Sequence, residues 1–161
     1  MMQGSEFDEA GFFRALSTRN VRALLIGRRA LVVLGAPVLT ADYDLWIHSD
    51  DVELLNAVAL PFDLVPNHSP DTARARGRYV LENDERVDVL VARRVPTHDG
   101  DIVEFDDVWQ RRQSVRFSTG ERVTIPAIID LIRTKKWAMR AKDLADIEML
   151  QTILLNPPEG S

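Results

Sequence analysis

Two aspartates lie two residues apart in the segment 40–47, which reads Thr-Ala-Asp-Tyr-Asp-Leu-Trp-Ile. On an extended strand successive side chains alternate between faces, so Asp42 and Asp44 would point to the same side. Two carboxylates in one small space repel each other, and a divalent cation between them offsets that repulsion. The spacing therefore favours a metal site, and Mg²⁺ is the natural ion.

A third carboxylate, Asp88, is the only polar residue in the apolar segment 87–91. If this segment is a strand beside the one that carries Asp42 and Asp44, the three acids converge. The alternative is that Asp42 and Asp44 mark a turn with a solvated edge, while Asp88 faces outward from a half-buried strand. Because carboxylate clusters concentrate at functional sites, we expect Asp42, Asp44 and Asp88 to be catalytic metal ligands.

The elements that would position these acids alternate along the first hundred residues. Apolar periodicity predicts helices over 7–18, 28–34 and 52–60, and apolar runs predict strands over 22–27, 43–47, 78–82 and 86–91. The polar segment 93–107 predicts a linker. Beyond it we expect a hairpin over 114–117 and 121–125, joined by 118–120, and two helices, one after Pro126 and one through 144–154.

This order of elements predicts an α+β fold, in which a mixed sheet is covered by helices and followed by a C-terminal hairpin and a two-helix tail. We expect a core over residues 7–95 and a C-terminal lobe over residues 105–156 packed on that core. A chain of 161 residues is long enough for such a domain with an appended lobe.

Composition excludes several function classes. The chain has no cysteine, which rules out disulfide scaffolds, thiolate metal sites and cysteine nucleophiles. Its 20 Lys and Arg against 25 Asp and Glu give a net charge of −5, which argues against nucleic-acid binding by bulk electrostatics. With no secretory signal pattern and no apolar run of membrane-spanning length, we expect a cytoplasmic protein without membrane contact.

Other motifs are weak. The three histidines, His48, His68 and His98, lack metal-ligand spacing, and neither a Walker loop nor a dinucleotide fingerprint occurs. Basic clusters at 74–78, 93–94 and 111–112 are typical of solvated surface, although a few phosphate contacts would be enough for an RNA acceptor.

Five features follow one another along the chain: the Gly27-Arg28 turn after the first strand, the linker 35–40, the Asp42-Tyr43-Asp44 segment, Asp88 and the tail 131–147. In this combination the chain resembles nucleotidyltransferases of the DNA-polymerase-β superfamily, particularly the small bacterial group that includes abortive-infection toxins of toxin–antitoxin pairs. The resemblance spans roughly residues 20–154.

The resemblance implies transfer of a nucleotidyl group from a nucleoside triphosphate to a hydroxyl acceptor on RNA, protein or a small molecule. It implies two Mg²⁺ ions at Asp42, Asp44 and Asp88, with a toxin or antitoxin as a possible partner. The implied nucleotide-binding residues are Gly27, Arg28, Thr40, Lys135, Arg140 and Lys142, supported by Asp143 and Asp146. The simpler interpretation of the tail is a solvated helix face on which Lys142 and Asp146 form an i,i+4 pair.

Two positions depart from the family pattern. Arg28 stands where a second small residue is expected, and Val38 stands where a basic residue is common. The Arg28 side chain could block the nucleotide, or its guanidinium could hold a phosphate. The alternative function is therefore a catalytically silent binding module or toxin–antitoxin partner. A sugar-nucleotide glycosyltransferase is a third possibility, but it offers no role for Asp88.

Overall fold

Residues 7–116 and 120–156 are described by a computed structural model, which contains helices on a central sheet and two further hairpins. The helices are α1 (Glu9–Thr18), α2 (Gly27–Val33), α3 (Val52–Ala59), α4 (Pro70–Arg76), α5 (Phe105–Arg111), α6 (Ile128–Lys135) and α7 (Ala141–Leu155). The strands are β1 (Ala23–Ile26), β2 (Tyr43–Ile47), β3 (Val65–Pro66), β4 (Arg78–Glu82), β5 (Arg86–Val91), β6 (Arg94–Pro96), β7 (Ile102–Glu104), β8 (Gln113–Arg116) and β9 (Arg122–Ile125).

The central sheet has the strand order β1-β2-β5-β4-β3. Strands β2 and β5 pair in parallel, while β1–β2, β5–β4 and β4–β3 pair antiparallel. The fold is therefore α+β with a mixed sheet, as the alternation of elements predicts. Parallel pairing needs a long crossover, and the chain between β2 and β5 supplies it with α3, β3, α4 and β4.

Strands β4 and β5 bury one face only. Tyr79 and Leu81 on β4 are buried, as are Val87, Val89 and Val91 on β5, while the residues between them are half-buried or exposed. Because side chains alternate across a strand, Val80 and Asp88 lie on the less buried face. That face is the floor of the candidate site.

The Trp46 side chain joins the central sheet to the C-terminal half of the chain. It is fully buried on β2, and its indole N–H donates a hydrogen bond to the Ala92 carbonyl at 2.8 Å. Its ring meets those of Phe105 and Trp137 edge-on, with centroids 5.2 and 5.1 Å away. The core thus continues from the sheet into the later elements.

Several sequence-based boundaries need correction. The predicted linker 93–107 instead contains the β6–β7 hairpin and the start of α5, because Val103 and Phe105 are buried in the core. Segment 62–77, for which the sequence predicts no element, forms β3 and α4. The predicted strand end at 117 and most of the turn 118–120 lie outside the described residues.

None of the helices in the described ranges combines the length and the apolar character needed to cross a bilayer.

Candidate active site

Two carboxylates are neighbours on the open face of the sheet. The parallel β2–β5 register places Asp44 directly opposite Asp88, and the same row continues to Ile26 on β1 and Val80 on β4. Adjacent strands lie about 4.8 Å apart, and register partners in a sheet point to the same side. The two strands are therefore neighbours, which is the condition for their acids to converge, and both carboxylates lie on one face.

The electrostatic environment of Asp44 is that of a crowded carboxylate. Burial raises the pKa of the Asp44 carboxyl, and the nearby charges of Asp88 and Asp42 raise it further. Lys135 and Lys142 act in the opposite direction. A cation at this position would relieve a repulsion that the fold has built in.

The turn after β1 is pressed against Asp44. Gly27 begins α2 with φ +71°, and a Cβ atom added there would lie 2.5 Å from Asp44 Oδ2. A side chain at this position would be strained by the backbone angle and would collide with the carboxylate. Glycine is therefore required both by the left-handed backbone and by the close approach of Asp44.

Asp42 lies just before β2 rather than in it. Its side chain is exposed, its N–H donates to Thr40 Oγ1 at 3.1 Å, and its carbonyl accepts from Arg29 Nε at 3.3 Å. Asp42 thus contributes charge near Asp44 without sharing the strand register that the sequence analysis assumed.

Asp88 already has a cationic partner, because Arg86 Nε and Nη2 donate to its Oδ1 at 3.2 and 3.1 Å. Its side chain is 41% exposed, although its neighbours along the strand are apolar. Across residues 7–116 and 120–156, no three or more His, Asp or Glu side chains are grouped so as to hold a metal. The structure places Asp44 and Asp88 side by side with Asp42 nearby, and their binding of a metal stays a prediction.

A buried ion-pair network flanks the turn. Asp146 on α7 has a fully buried side chain that accepts from Lys135 Nζ at 2.9 Å and from Arg28 Nε at 3.3 Å. Arg28 Nη2 lies 3.3 Å from Oδ1 of the same carboxylate, yet this oxygen accepts no hydrogen bond from the described residues. The predicted Lys142–Asp146 pair is replaced by these contacts.

Arg140 and Asp143 form the N-terminal cap of α7. Asp143 is buried and accepts from the Arg140 backbone N–H at 3.0 Å and from its Nε at 2.9 Å. Burial alone would raise the pKa of the Asp143 carboxyl, but these hydrogen bonds from Arg140 hold it below its usual range. The carboxylate thus orients Arg140 at the edge of the site.

A cleft of about 900 Å³ lies above the row of carboxylates. Six predicted site residues line it, namely Gly27, Asp44, Asp88, Lys135, Arg140 and Asp143. Five others do not belong to its walls, namely Arg28, Thr40, Asp42, Lys142 and Asp146. Arg28 is not among the residues that line the cleft, and its guanidinium pairs with Asp146. Its expected effect on nucleotide binding stays a prediction.

The fold that carries this site is also found among solved structures. The chain superposes on a provisionally assigned nucleotidyltransferase from Thermotoga maritima with a TM-score of 0.58, at 14% identity over 89% of this chain and 88% of that one. The chain has a nucleotidyltransferase fold. This confirms the fold expected from the sequence resemblance, while the toxin–antitoxin subgroup remains a prediction.

Two structures of ANT(2″)-Ia share the nucleotidyltransferase fold with this chain. The complex with adenylyl-2″-tobramycin gives a TM-score of 0.61 at 17% identity, covering 89% of this chain and 86% of that one. The solution structure of this antibiotic-resistance factor gives 0.59 at 16% identity, covering 89% and 80%. No protein-family model and no curated protein matches the sequence significantly.

The structure of this nucleotidyltransferase fold also brings residues to the cleft that sequence reasoning missed. They include His68, Arg76, Arg78, Arg86 and Trp137. The sequence placed Arg76 and Arg78 in a basic cluster typical of solvated surface. Strand alternation could have identified Arg78, since it shares a face with Val80, but only once β4 was known to pair with β5.

Proposed function

We propose that this chain binds a nucleoside triphosphate with Mg²⁺ in the cleft and transfers its nucleotidyl group to an acceptor hydroxyl. The observation that carries the proposal is the adjacent pair Asp44 and Asp88, with Gly27 packed against Asp44 in a nucleotidyltransferase fold. The adenylyl-2″-tobramycin bound to ANT(2″)-Ia supports nucleotidyl transfer as the reaction class.

The donor atoms of the site suit the ion. Mg²⁺ prefers carboxylate oxygens and is usually held by one or two of them together with water and substrate phosphates. Asp44 and Asp88 offer such oxygens on one face, with Asp42 available beside them. When bound there, Mg²⁺ supplies positive charge that polarises the α-phosphate and stabilises the departing pyrophosphate.

The triphosphate would lie at the Gly27 end of the cleft. The absence of a side chain at Gly27 lets the backbone N–H groups at the start of α2 approach an anion closely. Lys135 and Arg140, which line this cleft, would contact the phosphate oxygens, and Asp146 and Asp143 hold their charged ends in place. Thr40, Arg28 and Lys142 do not line the cleft and would act on the nucleotide indirectly. Thr40 would act through its hydrogen bond with Asp42, Arg28 through Asp146, and Lys142 through its charge near Asp44.

The transfer forms one bond, breaks one bond and moves one proton, and the site has a group to accept that proton. The acceptor oxygen forms a bond to the α-phosphorus, the bond to pyrophosphate breaks, and the hydroxyl proton passes to the Asp88 carboxylate. The release of Asp88 from Arg86 would leave its carboxylate free for this role.

A catalytically silent nucleotide-binding module is the second candidate. It is favoured by the Arg86–Asp88 contact, which occupies one of the two carboxylates, and by the lack of a three-ligand metal group in the described part of the chain. Binding to a toxin or antitoxin partner would belong to this candidate. It predicts stabilisation by nucleotide without any release of pyrophosphate.

The proposed function is tested by thermal unfolding with each of the four ribonucleoside triphosphates, with and without Mg²⁺. A ligand at one hundred times its Kd stabilises a native protein by roughly 2.7 kcal/mol, which raises Tm by several degrees in a chain of this size. We expect that shift with at least one triphosphate only when Mg²⁺ is present, together with pyrophosphate release once an acceptor is supplied.

Asp44→Asn should abolish the nucleotide-dependent shift, because it removes a carboxylate from the pair. Asp107→Asn is the matched control, since Asp107 is exposed on α5 and does not line the cleft. If no triphosphate shifts the Tm of the unmodified chain, or if Asp44→Asn keeps the full shift, the proposal is wrong.

A further inference from the structure

Two arginines in the wall of the cleft, Arg76 and Arg78, form no ion pair with any described carboxylate. Most other arginines in the described ranges do pair with an Asp or Glu, namely Arg14, Arg22, Arg28, Arg74, Arg86, Arg93, Arg94, Arg111, Arg133 and Arg140. The chain has 25 acidic side chains for 20 Lys and Arg, so partners are abundant. This cleft is therefore lined by two guanidinium groups that have no carboxylate partner among the described residues.

The two arginines flank a single glycine between a helix and a strand. Arg76 ends α4, Gly77 follows with φ +79°, and Arg78 begins β4. The left-handed Gly77 reverses the chain direction between the helix and the strand, and its N–H caps α4 by donating to the Ala73 carbonyl at 2.9 Å.

Arg78 lies on the same sheet face as the carboxylate row but outside that row, because its partner on β5 is Leu90 rather than Asp88. It lies two residues before Val80, which is the β4 partner of Asp88, so Arg78 and Val80 share the open face. The β4 strand is one spacing from β5, or about 4.8 Å. Arg78 is thus on the Asp88 side of the pair, and Arg76, two residues before it, lines the same cleft.

The cleft consequently has two basic ends with the carboxylates between them. Lys135 belongs to the end near Gly27, because Lys135 and Arg28 meet on Asp146 beside that turn. Arg140 belongs to the same end, since the charges of Asp44 and Asp146 act on it. Arg76 and Arg78 belong to the opposite end, across β2 and β5 in the strand order. If one end takes the triphosphate, the other is free for the acceptor.

We propose that the acceptor is a phosphate ester with a free hydroxyl, whose phosphate is bound by Arg76 and Arg78 while the hydroxyl faces Asp88. This rests on the proposed nucleotidyl transfer. Arginine presents a rigid fork of donors that matches phosphate oxygens. A cationic acceptor such as tobramycin would instead be repelled by two unpaired guanidinium groups. The phosphate could belong to the end of an RNA strand or to a small phosphorylated sugar.

The test uses the full chain and a short fluorescent single-stranded RNA with a free 3′ hydroxyl, followed by anisotropy. Ribose 5-phosphate and tobramycin serve as unlabelled competitors. We expect RNA or ribose 5-phosphate to bind, and the double variant Arg76→Gln, Arg78→Gln to weaken binding roughly tenfold or more, as the loss of charged hydrogen bonds predicts. For RNA, the salt dependence of log Kd should become shallower by about 0.7 per arginine removed.

Arg19→Gln is the matched control, because Arg19 is exposed, forms no ion pair with a described residue and lies outside the cleft. Direct binding of RNA and competition by ribose 5-phosphate separate the two sources of the phosphate. The inference is overturned if neither anion binds, if the double variant binds as tightly as the Arg19 control, or if tobramycin is the preferred ligand.

The Mg²⁺–triphosphate Tm shift, measured on the same variants, separates this inference from the proposed function. We expect the shift to persist in the double variant. If the shift disappears there, the arginines hold the triphosphate, and the acceptor assignment is overturned while the proposed function stands. If anions bind through Arg76 and Arg78 but no triphosphate shifts the unmodified chain, the proposed function fails, and the acceptor assignment fails with it for want of a donor.

Discussion

At the scale of single residues, the site depends on a contact between backbone and carboxylate. Gly27 has a left-handed φ of +71° and leaves no space for a Cβ beside Asp44, whereas Gly35 has φ +91° and open space within 4 Å of the point where a Cβ would lie. Both glycines therefore need a left-handed backbone, but only Gly27 also needs to lack a Cβ because a neighbouring side chain lies too close. That difference separates a conformational role from a role in the site.

Gly27→Ala should lower stability and also remove the Mg²⁺–triphosphate shift, because the new methyl group displaces Asp44. Gly35→Ala should cost about 1 kcal/mol for the left-handed backbone alone and keep the shift. Urea unfolding gives the stability of each variant, and thermal unfolding with nucleotide gives binding. Retention of the full nucleotide shift in Gly27→Ala would show that the close approach has no part in binding.

At the scale of elements, the position of the C-terminal helices depends on one buried carboxylate. Asp146 on α7 is joined to Lys135 on α6 and to Arg28 on α2, so three helices meet at one side chain. The Lys135 side chain is only 8% exposed, which leaves it little access to water if its partner is lost. A second buried acid, Asp130, joins α6 to α5 through Arg111 at 2.8 Å.

Asp146→Ala should reduce the free energy of unfolding by about 3 kcal/mol or more, since it leaves a buried ammonium group without a partner. The matched surface change is Glu121→Ala, which breaks an exposed pair with Arg14 and should leave stability nearly unchanged. Urea unfolding compares the two.

A compensated variant, Lys135→Met with Asp146→Leu, provides a further control. Replacing both charges by apolar side chains of similar volume should recover much of the stability lost in Asp146→Ala. It should not recover the nucleotide shift, since Lys135 would no longer reach a phosphate. Equal losses of stability in Asp146→Ala and Glu121→Ala would contradict this role of the network.

At the scale of the whole molecule, one core connects the sheet to the later elements. Trp46 packs against Phe105 on α5 and Trp137 after α6, and strand β9 contributes the buried residues Val123 and Ile125 to the same core. Residues from both the expected core over 7–95 and the expected lobe over 105–156 thus contribute to these buried ring contacts. The division into core and lobe stays a prediction. We propose that they form one cooperative unit.

The chain should unfold in a single transition. Far-UV circular dichroism reports on the helices, and tryptophan fluorescence reports on the contacts around Trp46 and Trp137, so the two curves should coincide in urea. Trp46→Phe should shift both curves together to lower urea, because it leaves a cavity and removes the hydrogen bond to Ala92. Two separated transitions would show that the C-terminal elements unfold as an independent domain.

The sequence by itself determined most of the local structure and the identity of the central acids. The strands 43–47, 78–82 and 86–91 agree with β2, β4 and β5 at both ends, because their alternation and turn residues depend only on near neighbours. Asp44 therefore lies within β2 and Asp88 within β5, as the sequence pattern predicts. The hairpin β6–β7 was missed because its strands are three residues each, too short for a periodic pattern.

Only the tertiary structure decided which charges work together. The parallel pairing of β2 with β5 sets Asp88 beside Asp44, and the Arg28–Asp146 contact joins residues 118 positions apart. Sequence patterns report on neighbours within a few residues, whereas these contacts depend on how distant elements pack. For the same reason, only the folded chain shows that Arg28 pairs with Asp146 while Arg76 and Arg78 line the cleft without a carboxylate partner among the described residues.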